Sequence, residues 1–250
     1  MRLHPFRIPP MKRRSFTAVL ACAAACTAPV QRAEPPPAPV PVTQAGVPGA
    51  VWPEIYFPDF DRAVRAAGLE PLRVSPLPAG QREVRVWIGG GLGAPESLYR
   101  FVPGGSAVFG EAILYWEAEP PRPEERRGLT FHDWLVRSLS GRCADIQVLD
   151  QMAVCRARFI RPPEWDQVLA GAEAAGLWTL PDASTLPDDG VVTLDGWALT
   201  VELRDGAAYR AYQYANPQAH AWPAARQAER IAEHVRGLDS LFRPAGVPRE

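Results

Sequence analysis

Alternating apolar and polar positions predict a set of short strands interleaved with amphipathic helices. Val84, Val86 and Ile88 alternate with Glu83, Arg85 and Trp87, so the strand Glu83 to Ile88 has one apolar face and one carrying an arginine beside an indole. Leu98 to Val102 reads as a second strand and Val108 to Glu117 as a third. The third has Phe109, Ile113 and Tyr115 on one side and Val108, Ala112, Leu114 and Trp116 on the other, so both its faces should be covered. A further strand runs from Ala153 to Ile160, and Trp197, Leu199, Val201 and Leu203 form an apolar strand face later in the chain. Between these lie helical spacings. Asp59 caps a helix carrying Phe60, Val64 and Ala67 and stopped by Gly68; Thr130 to Asp133 has the form of a capping box opening a helix through Leu139. Trp165, Val168, Leu169, Ala172 and Ala175 form a stripe ended by Gly176, and Ala228, Ile231, Val235, Leu238 and Phe242 form another after Pro223. The sum is an α+β fold, an antiparallel sheet with hairpins covered by three or four helices.

Turn residues set the finer expectations. Asp195-Gly196 and Asp205-Gly206 each mark a hairpin. At the second, a two-residue loop would turn Arg210, Tyr212 and Tyr214 onto the core face. A three-residue loop with Gly206 in a bulge would leave them outside with Thr200 and Glu202. Because an unpaired arginine is costly to bury, the second register is expected, which makes Arg210, Tyr212 and Tyr214 a candidate binding surface. Pro58-Asp59-Phe60-Asp61 parallels Pro163-Glu164-Trp165-Asp166, and Tyr99-Arg100 parallels Tyr209-Arg210, suggesting two diverged helix and strand-pair repeats.

The first 50 residues do not fit this pattern. Lys12, Arg13 and Arg14 precede an apolar run from Phe16 to Ala25, too short to span a bilayer, and then small residues and cysteine, as in an export signal beginning at Met11. Arg13-Arg14-Ser15-Phe16 also has the core of a twin-arginine signal, although paired arginines are common in ordinary leaders. The stretch resembles a bacterial lipoprotein signal, and that resemblance implies a lipidated cysteine as the first mature residue. Cleavage before Cys26 leaves Cys143 and Cys155 as an even pair, whereas cleavage before Cys22 strands Cys26, so Cys26 is the expected lipid site. Three alanines precede Cys26, in place of the large aliphatic residue usual three positions upstream. Residues 27–50 are proline-rich and suit an extended tether of about 70 Å. The expected organisation is thus a signal over 1–26, a linker over 27–50 and one globular domain over 51–244.

In an oxidising compartment Cys143 and Cys155 read as a disulfide; the rivals are two buried thiols or a metal pair, the latter lacking any CxxC or nearby histidine. A net charge of -1 offers no footprint for nucleic acid. Lys12 is the only lysine, so a domain cut from its leader has no lysine for a Schiff base or a phosphate loop. Gly89 to Ala94 imitates a dinucleotide fingerprint, but a strand rather than a helix should follow, and no nucleotide cofactor is expected. Neither a metal site nor any other cofactor is indicated. His132 beside Asp133 reads as polarity in a first helical turn, Glu233-His234 lacks the second histidine of a zinc motif, and no serine sits in G-x-S-x-G. Asp182, Asp188 and Asp189 read as turn chemistry.

The stretch from Trp165 to the last helix, with its Gly-Leu-Trp, Asp-Gly hairpin and Asn216-Pro217 stop, also resembles uncharacterised domains of bacterial exported proteins, a resemblance that carries over no catalytic residue. The expectation is a cell-envelope lipoprotein on the periplasmic side of a bacterial membrane, held there by its lipid. It would be a non-catalytic binding or scaffold module for an envelope protein or cell-wall partner. The alternative is an exported hydrolase in which His132 or His220 works with Asp188 and Asp189.

Overall fold

The computed structural model describes residues 57–89, 96–117, 124, 128–138, 143–159, 163–192 and 196–241. Seven strands form one antiparallel sheet: β1 (Arg82–Gly89), β2 (Glu96–Gly104), β3 (Ala107–Glu117), β4 (Cys143–Leu149), β5 (Met152–Ala157), β6 (Ala198–Asp205) and β7 (Ala208–Ala215). Their order is β4-β5-β3-β2-β1-β6-β7, with β2 in the middle and β1 between β2 and β6. The α-helices are α1 (Phe57–Ala66), α2 (Phe131–Ser138), α3 (Trp165–Ala174) and α4 (Pro223–Arg236). The α+β expectation holds.

Helices α1 and α3 end where a glycine permits a reversal. Gly68 and Gly176 take positive φ, so the amides of Leu69 and Leu177 turn back to the carbonyls of Val64 and Ala172. The Thr130 hydroxyl accepts from the Asp133 amide and donates to its carboxylate, opening α2. Asp59 lies within the first turn of α1 rather than capping it, and bonds Arg62.

Because side chains alternate across a strand, the sheet has two differently covered faces. On the first, Val84, Val86, Phe101, Leu199, Val201 and Leu203 meet Leu169 and Ala172 of α3 and Ile231 and Val235 of α4. Gly110 leaves room there for the Trp165 ring, which a Cβ would overlap. Toward β4 the same face holds Trp116, Val148 and Ala153 against Trp134 of α2. On the second face Ala63 and Val64 of α1, and Ala67 just after it, cover Trp87, Leu98, Ile113 and Val154, with Phe60 stacked on Trp87 at 4.2 Å. The chain after α1 continues across that face to the far hairpin, where the Leu77 amide bonds Gly206 O.

Several expectations need correction. Strand β4 was not foreseen: its hairpin to β5 turns through Asp150 and Gln151, both at positive φ, without the glycine that usually announces such a turn. Of the expected Asp195-Gly196 hairpin, Asp195 lies outside the described residues; Gly196 sits before β6, where the absence of a Cβ admits the Asn216 side chain, which accepts from the Trp197 amide. The last helix passes at Gly237 into a 3₁₀ turn, and Phe242 lies outside the described residues. The β6–β7 turn has two residues, since Asp205 pairs with Ala208 and Val201 with Tyr212, so the expected three-residue register is overturned. The repeat also fails in detail. Both strand pairs follow a helix, but α1 and α3 cover opposite faces, and Tyr99 lies on the face of Arg210 rather than that of Tyr209.

Candidate functional site

The tyrosines of the anticipated surface stripe are in the core. Tyr212 and Tyr214 are fully buried, and Arg210 is half-buried beside them, because the two-residue turn puts all three on the side of Val201. Burial is tolerated because α3 is followed by a segment whose carbonyls point at β7. Tyr212 OH donates to Leu177 O at 2.9 Å and Tyr214 OH to Pro181 O at 2.7 Å, while the Arg210 guanidinium donates to the carbonyls of Trp178 and Leu180. The premise that a buried arginine would lack partners is what misled the register. Burial drives the Tyr212 hydroxyl well above its ordinary range, so it stays a neutral donor. These three residues are a clamp on the 177–181 segment, and they are withdrawn as a binding surface.

The second face carries a row of alternating charge. Glu83 accepts from Arg85 Nε at 2.7 Å and from Arg100 Nε and Nη2 at 2.7 and 2.9 Å. Arg100 Nη1 donates to Glu111 at 2.8 Å, Glu111 accepts from Arg156 at 3.0 Å, and Arg156 reaches Asp145 at 3.4 Å. The row thus crosses β1, β2, β3, β5 and β4. Beside it Glu202 accepts from Trp87 Nε1 and Tyr209 OH, both at 2.8 Å. Burial alone would push Glu83 up, but Arg100 and Arg85 hold its carboxyl below the ordinary value. Arg156 is thereby engaged within the protein, and it also donates to the Ala67 carbonyl. The sequence signal for this row was the polar half of the β1 alternation, Glu83 and Arg85, and the neighbouring Glu202 was expected to face outward because its cover lies far off in sequence.

One histidine meets a carboxylate. His220 Nδ1 lies 2.9 Å from Asp189 Oδ2, and its ring stacks on Trp222 at 4.2 Å. A carboxylate only accepts, so Nδ1 carries the proton of this bond and Nε2 is the ring nitrogen outside it. The Val191 amide also bonds Asp189; these donors outweigh burial and keep that carboxyl below its ordinary value. Asp188 accepts from the Gly190 amide, the turn chemistry expected of this loop. Among the described residues, the hydrogen bonds of the His220 side chain go to Asp189 alone, and no serine, threonine or cysteine joins the pair. The side chain of His132 lies outside the described residues, as do Cys22 and Cys26.

Cys143 and Cys155 form a disulfide with Cα atoms 5.3 Å apart, as expected. Among the described residues no cluster of three or more histidine, cysteine or acidic side chains could hold a metal, and no helix is long and apolar enough to cross a membrane. No protein-family model matches the chain, and neither a curated protein nor a solved structure matches it.

Proposed function

We propose that the chain is a cell-envelope lipoprotein whose lipid, on Cys26, tethers an α+β binding or scaffold module through the 27–50 linker. The observation that carries the reading is the Cys143–Cys155 disulfide, which belongs in an oxidising compartment and agrees with the cationic head and apolar run at 12–25. Further support comes from the inward use of the largest polar side chains, Arg210, Tyr212, Tyr214 and Arg100, which serve packing rather than chemistry. The partner is an envelope protein or cell-wall component, met by a surface other than the Arg210 stripe.

Intact mass of the membrane-associated protein, before and after reduction, tests the reading. A diacylated or triacylated chain beginning at Cys26 and gaining two hydrogens on reduction is the expected result. A lipid-free mature chain would remove the anchor and move weight to the second reading, an exported hydrolase built on His220 and Asp189. That reading rests on their 2.9 Å contact. Its own test is hydrolysis of ester, amide and glycoside substrates by the native chain against His220→Ala: equal rates, or none, end it.

A further inference from the structure

The two edges of the sheet are finished differently. At β7 the outward amide of Gln213 donates to Asp182 Oδ2 at 2.8 Å, and Ala211, the preceding outward position, is engaged as well. At β4 the hairpin fixes which backbone groups are spent. Its two-residue turn makes Leu149 and Met152 a hydrogen-bonded pair, and the ladder then alternates, so Gln147 and Asp145 also bond inward to Val154 and Arg156. The N–H and C=O groups of Ile146 and Val148 therefore point away from the sheet. Strand β4 itself contains no lysine or proline, and Leu149 on the α1 face and Val136 of α2, which packs on the other face of β4, are exposed apolar side chains.

We propose that β4 pairs antiparallel with β4 of a second copy of this chain, about a two-fold axis at Gln147. Four symmetric registers would engage these outward groups, and an axis at Val148 needs Asp150, which lies in the turn at positive φ. An axis at Asp145 sets two carboxylates against each other. An axis at Ile146 needs Ala144, where the ladder is irregular between Cys143 and Asp145. An axis at Gln147 uses only the regular stretch: Ile146 pairs with Val148 of the other copy and Val148 with Ile146, closing four backbone hydrogen bonds. The two Gln147 amides, each able to donate and accept, then face one another, and each Asp145 lies beside a Leu149. The like charge at Asp145 and the regular stretch of the ladder thus single out one register in which this edge is complementary to itself. The two sheets become a single one of fourteen strands, with α2 and its symmetry mate flanking the seam and covering Val136.

The test uses the full chain with Cys22→Ser and Cys26→Ser, so that no other free thiol intervenes. Facing residues in a pair without backbone bonds have Cα atoms about 4.5 Å apart, within disulfide reach, whereas Asp145 and its mate would be displaced by four residues, about 13 Å along the strand. Gln147→Cys should therefore oxidise to a covalent dimer, and Asp145→Cys should yield at least about tenfold less. Sedimentation of the unmodified chain should give twice the monomer mass. Gln147→Arg keeps Asp145 as a local partner yet opposes two cations at the axis, so it should sediment as a monomer with an unchanged far-ultraviolet circular dichroism spectrum. A native chain that is monomeric throughout a dilution series overturns the proposal, as does equal cross-linking at 145 and 147 or a Gln147→Arg variant that remains dimeric.

Discussion

The two faces of the sheet bury polar side chains by opposite means. Beneath α3, Tyr212, Tyr214 and Arg210 give their protons to backbone carbonyls of the 177–181 segment, neutral acceptors that hold at any pH. On the α1 side, Glu83, Arg100, Glu111 and Arg156 satisfy one another, so the bonds among these four depend on carboxylates remaining ionised. The first arrangement orders a loop and the second ties five strands across their width. Acid should therefore weaken one face and spare the other.

The largest effect should come from Glu83→Ala. It leaves Arg85 and Arg100 without their shared acceptor in a buried site and should cost about 3–5 kcal/mol in urea unfolding at neutral pH. A loss below 1 kcal/mol would mean that the row is already solvated. The double change Cys143→Ser, Cys155→Ser comes next, at about 3 kcal/mol, because the disulfide closes a short loop in the unfolded chain. It provides a reference, since its cost should be the same at neutral and acid pH. Tyr212→Phe should cost about 1–3 kcal/mol by leaving Leu177 O unpaired, and the variant should keep the native dependence on pH.

The smallest and most discriminating effect is in the acid limb itself. The Glu83 carboxyl is held below the ordinary value of 4.5, so its contribution is complete above that value and disappears as pH falls through the lower folded-state value. Urea midpoints measured from pH 6 downward should therefore decline for the native chain and for Tyr212→Phe, while Glu83→Gln, which cannot take up a proton, should decline less steeply. Parallel slopes for all three would erase the distinction between the faces.

Local pattern located most of the elements. The alternation at Val84, Val86 and Ile88 and the stripe at Ile231 and Val235 each mark a surface that must be buried, and both were read from the chain alone. Strand β4 was missed because an edge strand buries less, and Asp145 and Gln147 interrupt the apolar run. The candidate site was less legible. His220 and Asp189 were named together with His132 and Asp188, and only the fold selected that pair, because thirty residues of chain including β6 and β7 separate the two loops that it joins.

By itself the sequence determined the strand and helix periods, the cysteine pair and the absence of lysine after residue 12, all properties of near neighbours or of composition. Tertiary structure alone decided which half of each alternation met water. At β7 it decided that neither tyrosine did, because the carbonyls that accept from Tyr212 and Tyr214 come from a segment some thirty residues away in the chain. A polar side chain is buried or exposed according to where its partner lies, and for these residues the partner comes within reach only when α3 and the strands it covers have packed.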